Sequence, residues 1–299
     1  MTSATLPRFG LWTFQLDLQP SNRAREVAVE LEELGYGAIW VPEAVGREPL
    51  SSSAILLSAT KSIVLATGIA SIYGRDAMSM AAGWNTVSEA FPGRFVLGLG
   101  VSHQPMVESI RGHHYDKPVT TMRAYLDGID NALYMASKPT VTPVRMLAAL
   151  GPKMLELAAE RTDGAHPYFV PVEHTAVARE ALGVGPLLAP EQAVVLSSDA
   201  TLARATARTH MKTYLRLPNY TNNLKRLGWS DADLAEGGSD KLVDAIVAWG
   251  SLDQVVARVK AHFDAGADHV CLQVLPTDSP AGLPLEDWRR LAPGLASLA

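Results

Sequence analysis

The chain has 299 residues, 47% of them hydrophobic and 19% charged, and a formal net charge of −5. That composition can bury a core and excludes disorder, and an acidic chain with no basic run offers no electrostatic footprint for nucleic acid or an anionic membrane. No apolar run approaches the roughly 18–20 residues of a membrane span, and MTSATLPRFG at the start lacks the pattern of a secretory signal. Cys271, the single cysteine, excludes internal disulfides and cysteine-cluster metal sites and suits a reducing cytoplasm.

Residues 8–14 (RFGLWTF) read as a strand, and Pro20 and Ser21 start a helix whose Val27, Leu31 and Leu34 fall at i, i+4 and i+7. Gly35 stops it, residues 38–41 (AIWV) are the second strand, and its outgoing corner carries Pro42 and Glu43. A helix over about 50–60 precedes a third strand, opened by Ile63, Val64 and Leu65 and interrupted at Gly68. Residues 77–91 are long and smooth enough for a helix, and Phe95 to Leu99 form the fourth strand, closed by Gly98 and Gly100. Strand, helix and strand without a short hairpin make a βαβ unit with parallel strands. Parallel sheets bind ligands beyond the carboxyl ends of their strands, so chemistry is expected after Ala66 and after Leu99.

Beyond His103 a polar loop holds His113, His114 and Asp116, followed by a helix near 118–137, a fifth strand at 145–150 (RMLAAL) and a helix over 152–161. A sixth strand at 164–169 is weakened by Pro167. A helix over 174–182, a seventh strand at 192–196 (QAVVL) and a helix over 199–215 follow. Two short polar patterns, LKRLG and SDADLAEGG, read as an insertion over about 216–238, between strand seven and the last helix. Ser251 and Gln254 have capping-box spacing and start that helix, with Val255, Val259 and Phe263 on its buried face. Gly266 ends it before an eighth strand at 269–274 (HVCLQV).

Eight strand-helix alternations in 299 residues predict an α/β fold, a single (β/α)8 TIM-barrel domain over 1–299 carrying that insertion. A doubly wound sheet is the runner-up, because strand order is invisible in sequence. A local echo supports the alternation: in LEELGYGAIWV and HFDAGADHVCLQV a helix ends at glycine and a strand begins three residues later.

Candidate chemistry is sparse. GLGVSH (98–103) has His103 where a dinucleotide fingerprint needs its third glycine, and the plainer reading is that Gly98 and Gly100 allow tight packing. His103, His113, His114, Asp116, His166 and His174 lack a metal-ligand spacing, and no metal is expected; neither G-x-S-x-G nor a P-loop occurs. More informative is ALGPKMLELAAERTDG (149–164), in which a strand ends at Leu150 and a helix opens at Gly151, Pro152, Lys153 and Met154. Free amides at a helix start attract phosphate, and Lys153 adds positive charge.

In order and spacing, ELEELGYGAIWVPE, LATGIASIYGRD, FPGRFVLGLGVSH, RTDGAHPY after the helix start, and WGSLDQVVARVKAHFDAGADHVCLQV resemble the luciferase-like flavin and deazaflavin oxidoreductases, in the branch that uses coenzyme F420. The resemblance implies a TIM barrel, often a homodimer, with a small-molecule substrate and hydride transfer at C5 of a 5-deazaflavin. It also implies a non-proline cis peptide between Gly68 and Ile69, backing the cofactor ring with Ala70 beside it, and cofactor phosphate against Leu150 and Gly151 to Met154. His103 and Glu43, just past strand ends, are the expected residues nearest the hydride, His103 as proton donor or acceptor; Glu43 has the alternative of pairing with Arg47 or Arg75. Relatives acting on sugar phosphates carry an Asp-His pair and a Glu where this chain has Glu43, Ala44 and Val101, which argues against such a substrate. An FMN-dependent monooxygenase and a non-catalytic flavin-binding barrel are the alternatives.

Overall fold

The computed structural model describes residues 6–298. Its strands are β1 (Phe9–Trp12), β2 (Ala38–Val41), β3 (Val64–Thr67), β4 (Ala70–Ser71), β5 (Phe95–Gly100), β6 (Val144–Leu147), β7 (Gly164–Ala165), β8 (Leu187–Leu188), β9 (Glu191–Val195), β10 (Val247–Trp249) and β11 (Val270–Val274). All pairings are parallel, in the order β10-β9-β11-β1-β2-β3-β5-β6-β7-β8, with β4 beside β5. The first strand therefore pairs with the last, Phe9 opposite Val270, and neighbours in the sheet are mostly neighbours in sequence. The pairing of β1 with the last strand, which itself lies between β1 and β9, rules out the doubly wound alternative, whose first and last strands are not neighbours. β8 and β9 are two parts of one run broken at Pro190: Ala189 N donates to Ala165 O on one side, and Cys271 N donates to Pro190 O on the other. The result is a curled parallel sheet with helices outside it.

The strands are short and buried on both faces, as expected where helices cover one side and side chains fill the other. Helix Ser21–Glu33 buries Val27 and Leu31 as its spacing predicts, and Gly35 and Gly266, at φ 88° and 101°, make the left-handed exits of the two echoing segments. Ser251 and Gln254 form the reciprocal capping box of helix Leu252–Asp264. At Gly98 the need is for space: a Cβ there would lie 2.0 Å from Thr67 O, and the Thr67 hydroxyl both donates to Gly98 O (2.7 Å) and accepts from Gly98 N (2.9 Å). Gly98 thus packs β3 against β5, while Gly100 leaves room for Ile69, whose Cδ1 is 2.5 Å from where a Gly100 Cβ would be.

Several expectations need correction. The helix near 118–137 is Pro118–Asp130; the apolar Leu133 and Met135 that extended its pattern remain 69% and 86% exposed, so nothing holds them in a buried face. Strand six shrinks to Gly164–Ala165, because Pro167 has no N–H to give and Phe169 takes a left-handed φ of 58°. The chain over 218–238 does hold short helices, Pro218–Arg226 and Asp231–Leu234. Unforeseen are helix Asp240–Ile246, strand β10 beyond it, and helix Leu285–Ala296 after β11. The last carries Pro293 and Gly294, which mask a regular buried face of Trp288, Leu291 and Leu295. Among the described residues no helix is long and apolar enough to cross a membrane.

Candidate active site

A cavity of about 660 Å3 opens at the carboxyl ends of the strands, where the fold's geometry puts ligand sites. It is bordered by the corners after β2, β3, β5 and β6, by the segment after β7, and by helices Ala200–Tyr214 and Pro218–Arg226. Of the residues expected at the site, Glu43, Gly68, Ile69, His103, Leu150, Gly151, Pro152, Lys153 and Met154 all line it. Ala70 does not: it is fully buried in β4, paired with Leu99.

The floor is formed after β3. The Gly68–Ile69 peptide is cis, Gly68 O accepts from Trp12 Nε1 (2.8 Å), and Ile69 O accepts from Glu43 N (3.2 Å). A Cβ on Gly68 would lie 2.7 Å from Trp12 Nε1, so only glycine lets the indole reach this carbonyl. Beside it His166, 1% exposed, stacks on Trp40 with ring centroids 4.3 Å apart.

His103 enters from the corner after β5, where Ser102 has a left-handed φ of 57°. Burial pushes its pKa below the ordinary histidine value against an opposing hydrogen bond with Asn219, so the imidazole is neutral at pH 7. Its Nδ1 is buried without a hydrogen-bond partner among the described residues.

Glu43 is committed elsewhere. Arg75 grips both its oxygens (2.8 and 3.1 Å), Arg111 donates to Oε1 (3.2 Å) and Ser71 N donates to Oε2 (2.8 Å), leaving the side chain 7% exposed. Arg75 is one of the two partners weighed from sequence; Arg47 instead bonds Asp17, Gln19 and Ser21. Glu43 joins the corner after β2 to β4 and to the 106–111 turn, and so shapes the cavity wall.

At the other end, helix Pro152–Arg161 opens toward the cavity. Gly151 O accepts from Met154 N and Leu155 N, and Pro152 has no N–H, so the Gly151 and Lys153 amides lack a backbone acceptor among the described residues. Over them stands Arg226, its Nη2 3.2 Å from where a Gly151 Cβ would sit, with no ion pair among the described residues and only Asn223 as a hydrogen-bond partner. Two amides, a lysine and an arginine around a side-chain-free surface suit a phosphate. Arg226 is not among the residues the sequence points to; its only signal is the basic pair in LKRLG, a segment that reads as a short polar pattern of the insertion.

The remaining wall is aromatic. Tyr168 OH donates to Gln273 Oε1 (2.7 Å) and so accepts from Tyr214 OH (2.8 Å), while Tyr220 meets Tyr214 edge-on at 5.3 Å and His103 at 5.4 Å. Burial raises the pKa of all three tyrosines, Tyr214 to about 12, so they remain neutral hydrogen-bonding groups. Behind them Glu191 is buried, bonded at one oxygen by Phe169 N (3.1 Å), and burial pushes it up to about 8. Of the remaining histidine candidates, His114 is 85% exposed near Glu108, and His174 Nε2 donates to Leu150 O (2.8 Å), steadying the corner after β6. Among the described residues no three His, Cys, Asp or Glu side chains converge as for a metal ion.

A family profile described as luciferase-like monooxygenase matches residues 4–269. A 5,10-methylenetetrahydromethanopterin reductase of Methanolobus tindarius is 27% identical, with 86% of this chain and 93% of the relative aligned. A putative coenzyme F420-dependent oxidoreductase of Mycobacterium tuberculosis is 26% identical over 87% and 92% of the two chains. Among solved structures, an F420-dependent secondary alcohol dehydrogenase in complex with an F420-acetone adduct superposes with a TM-score of 0.78 over 99% of this chain and 100% of that one, at 12% identity. With the profile spanning most of its length and its curled parallel sheet superposing on that enzyme, the chain belongs to the luciferase-like monooxygenase family.

Proposed function

We propose that the protein is an F420-dependent oxidoreductase acting on a small organic substrate at the cavity above β3 and β5. Supporting this are the F420-linked names of its relatives, the family membership and a cavity whose residues fit the cofactor: a phosphate corner at Gly151, Lys153 and Arg226, and a flat floor at Gly68 and Ile69. The observation that carries the reading is the joining of that corner and that floor in one cavity, with His103 on its rim. When bound, F420 supplies a ring carbon, C5, that gives or takes a hydride.

The chain's own residues orient and protect. Trp12, Gly68 and Ile69 present a flat apolar floor, and the aromatic wall limits water. His103, neutral at neutral pH, accepts a proton from a substrate hydroxyl as the alcohol is oxidised and returns it in the reverse direction. Glu43, gripped by two arginines, acts by positioning the wall. In the same reading the fold is an eight-stranded barrel forming one domain over 1–299, with about 216–238 as the insertion that brings Asn219, Tyr220 and Arg226 to the site; the protein is a cytoplasmic homodimer.

The test is an oxidoreductase assay with F420 and a panel of alcohols and carbonyl compounds, with oxygen uptake followed in parallel using FMN. F420 turnover is expected, with His103→Ala lowering kcat at least 100-fold while F420 affinity stays within about 3-fold, since general acid-base catalysis typically contributes 10²–10⁴. Full turnover by the variant rejects the proton-transfer role, and oxygen consumption with FMN alone turns the assignment to a monooxygenase.

A further inference from the structure

The His166 ring has a fixed tautomer and a free acceptor. Its Nδ1 lies 2.7 Å from Ala189 O, and because a carbonyl only accepts, the proton sits on Nδ1 and the lone pair on Nε2. Nε2 is buried and has no hydrogen-bond partner among the described residues. It sits on the cavity floor, 3.4 Å from where a Cβ on Gly68 would be, in a residue only 1% exposed. The donors beside it are already engaged: Trp12 Nε1 donates to Gly68 O and Tyr168 OH donates to Gln273. Stacking on Trp40 fixes the ring plane, and Trp40 Nε1 donates to His269 Nε2 (3.0 Å), so the ring cannot swing away to find another partner. A buried acceptor held rigid at the bottom of a ligand cavity, with Trp12 Nε1 and Tyr168 OH both committed elsewhere, is complementary to a ligand that brings an N–H.

We propose that His166 Nε2 accepts the ring imide N–H of the bound cofactor, reading the pyrimidinedione edge that flavins and deazaflavins share. The inference rests on the cofactor reading above for the occupant of the cavity, but not on which of the two cofactors it is. Gly68 leaves room for a flat ring against the floor, and Gly151, Lys153 and Arg226 hold a phosphate at the other end of the same cavity, so the ring edge and the phosphate tail each meet a matching group. Desolvation pushes the His166 pKa down to about 4, which keeps the acceptor unprotonated throughout the neutral range.

The test measures equilibrium binding of F420, FMN and N3-methyl-FMN to the full chain, to His166→Ala and to His166→Gln, by fluorescence titration. Leaving a buried N–H unmet costs about 10- to 100-fold in affinity. FMN and F420 are therefore expected to weaken by that factor in His166→Ala and to recover partly in His166→Gln, which restores an acceptor. Methylation removes the donor, so wild type should discriminate against N3-methyl-FMN by at least 10-fold and His166→Ala by less than about 3-fold. The wild-type comparison needs no variant, so a misfolded variant does not spare the proposal. Equal wild-type affinity for methylated and unmethylated FMN, or unchanged cofactor affinity in a folded His166→Ala, overturns it and leaves the F420 reading intact. Binding of FMN with this coupling but no binding of F420 overturns the F420 reading and upholds His166; binding of neither overturns both.

Discussion

Replacing Glu43 by glutamine separates a positioning carboxylate from a catalytic one. The carboxylate is 7% exposed and takes three hydrogen bonds from Arg75 and Arg111 and one from Ser71 N, so neutralising it strips the charge partner from two guanidinium groups that are themselves only 13% and 23% exposed. Breaking a fully buried ion pair by removing one partner costs about 3–5 kcal/mol. Two features lower the figure here: Arg75 keeps Glu48 at 3.1 Å, and glutamine retains an oxygen for Ser71 N. The expected loss is therefore about 2–3 kcal/mol, which for a chain of this size lowers Tm by about 3–5 °C. Thermal unfolding by circular dichroism, run beside F420 titration, is the assay. A positioning role predicts the fall in Tm, a cofactor affinity a few-fold weaker and kcat reduced less than 10-fold. An unchanged Tm with kcat reduced 100-fold or more refutes the reasoning and returns Glu43 to the proton-transfer chemistry weighed for it from sequence.

Arg226→Glu should weaken phosphate-bearing FMN or F420 by about 10-fold at low salt, as expected for reversing one exposed charge, with the effect shrinking as salt rises; riboflavin, which lacks the phosphate, should bind both proteins alike, and an equal loss for riboflavin places the phosphate elsewhere. Stability should peak near about pH 7. The folded-state pKa of His166, His210 and His269 is lowered to about 4 and that of His262 to about 3, all through burial, so the unfolded chain binds more protons below about 6.5 and stability is lost as pH falls through that window, by up to about 1.4 kcal/mol per pH unit for each histidine. Glu191, raised to about 8, has the opposite sign: the folded state holds its proton more tightly, so stability declines as pH rises from about 4.5 to 8, and urea melts of Glu191→Gln should show that alkaline decline abolished.

Periodicity and punctuation made most of the fold legible. Val27 and Leu31 at helical spacing, Gly35 and Gly266 at left-handed exits, and the Ser251–Gln254 box each signal through residues within a few positions of one another, and each has the predicted structure. Elements whose signals are masked or brief were lost: Pro293 and Gly294 hide the helical face of Leu285–Ala296, and β10 is only three residues long. The site divides the same way. The helix start at the cavity, with its free amides, was legible because those amides come from adjacent residues. The hydrogen bonding of Glu43 and His166 was not, because it is set by partners far along the chain: Arg75 and Arg111 lie 32 and 68 residues from Glu43, and Ala189 O lies 23 residues from His166. Side-chain chemistry at a curled sheet's rim is decided by which loops meet, and loop meetings leave no local trace in sequence.

The central claim is that the cavity belongs to a deazaflavin. Its most direct test is parallel equilibrium titration of the purified protein with F420 and with FMN under identical salt and pH. A deazaflavin site gives saturable one-to-one binding of F420, at least 10-fold tighter than FMN and weakened by Arg226→Glu; tighter binding of FMN, or no binding of F420, excludes it.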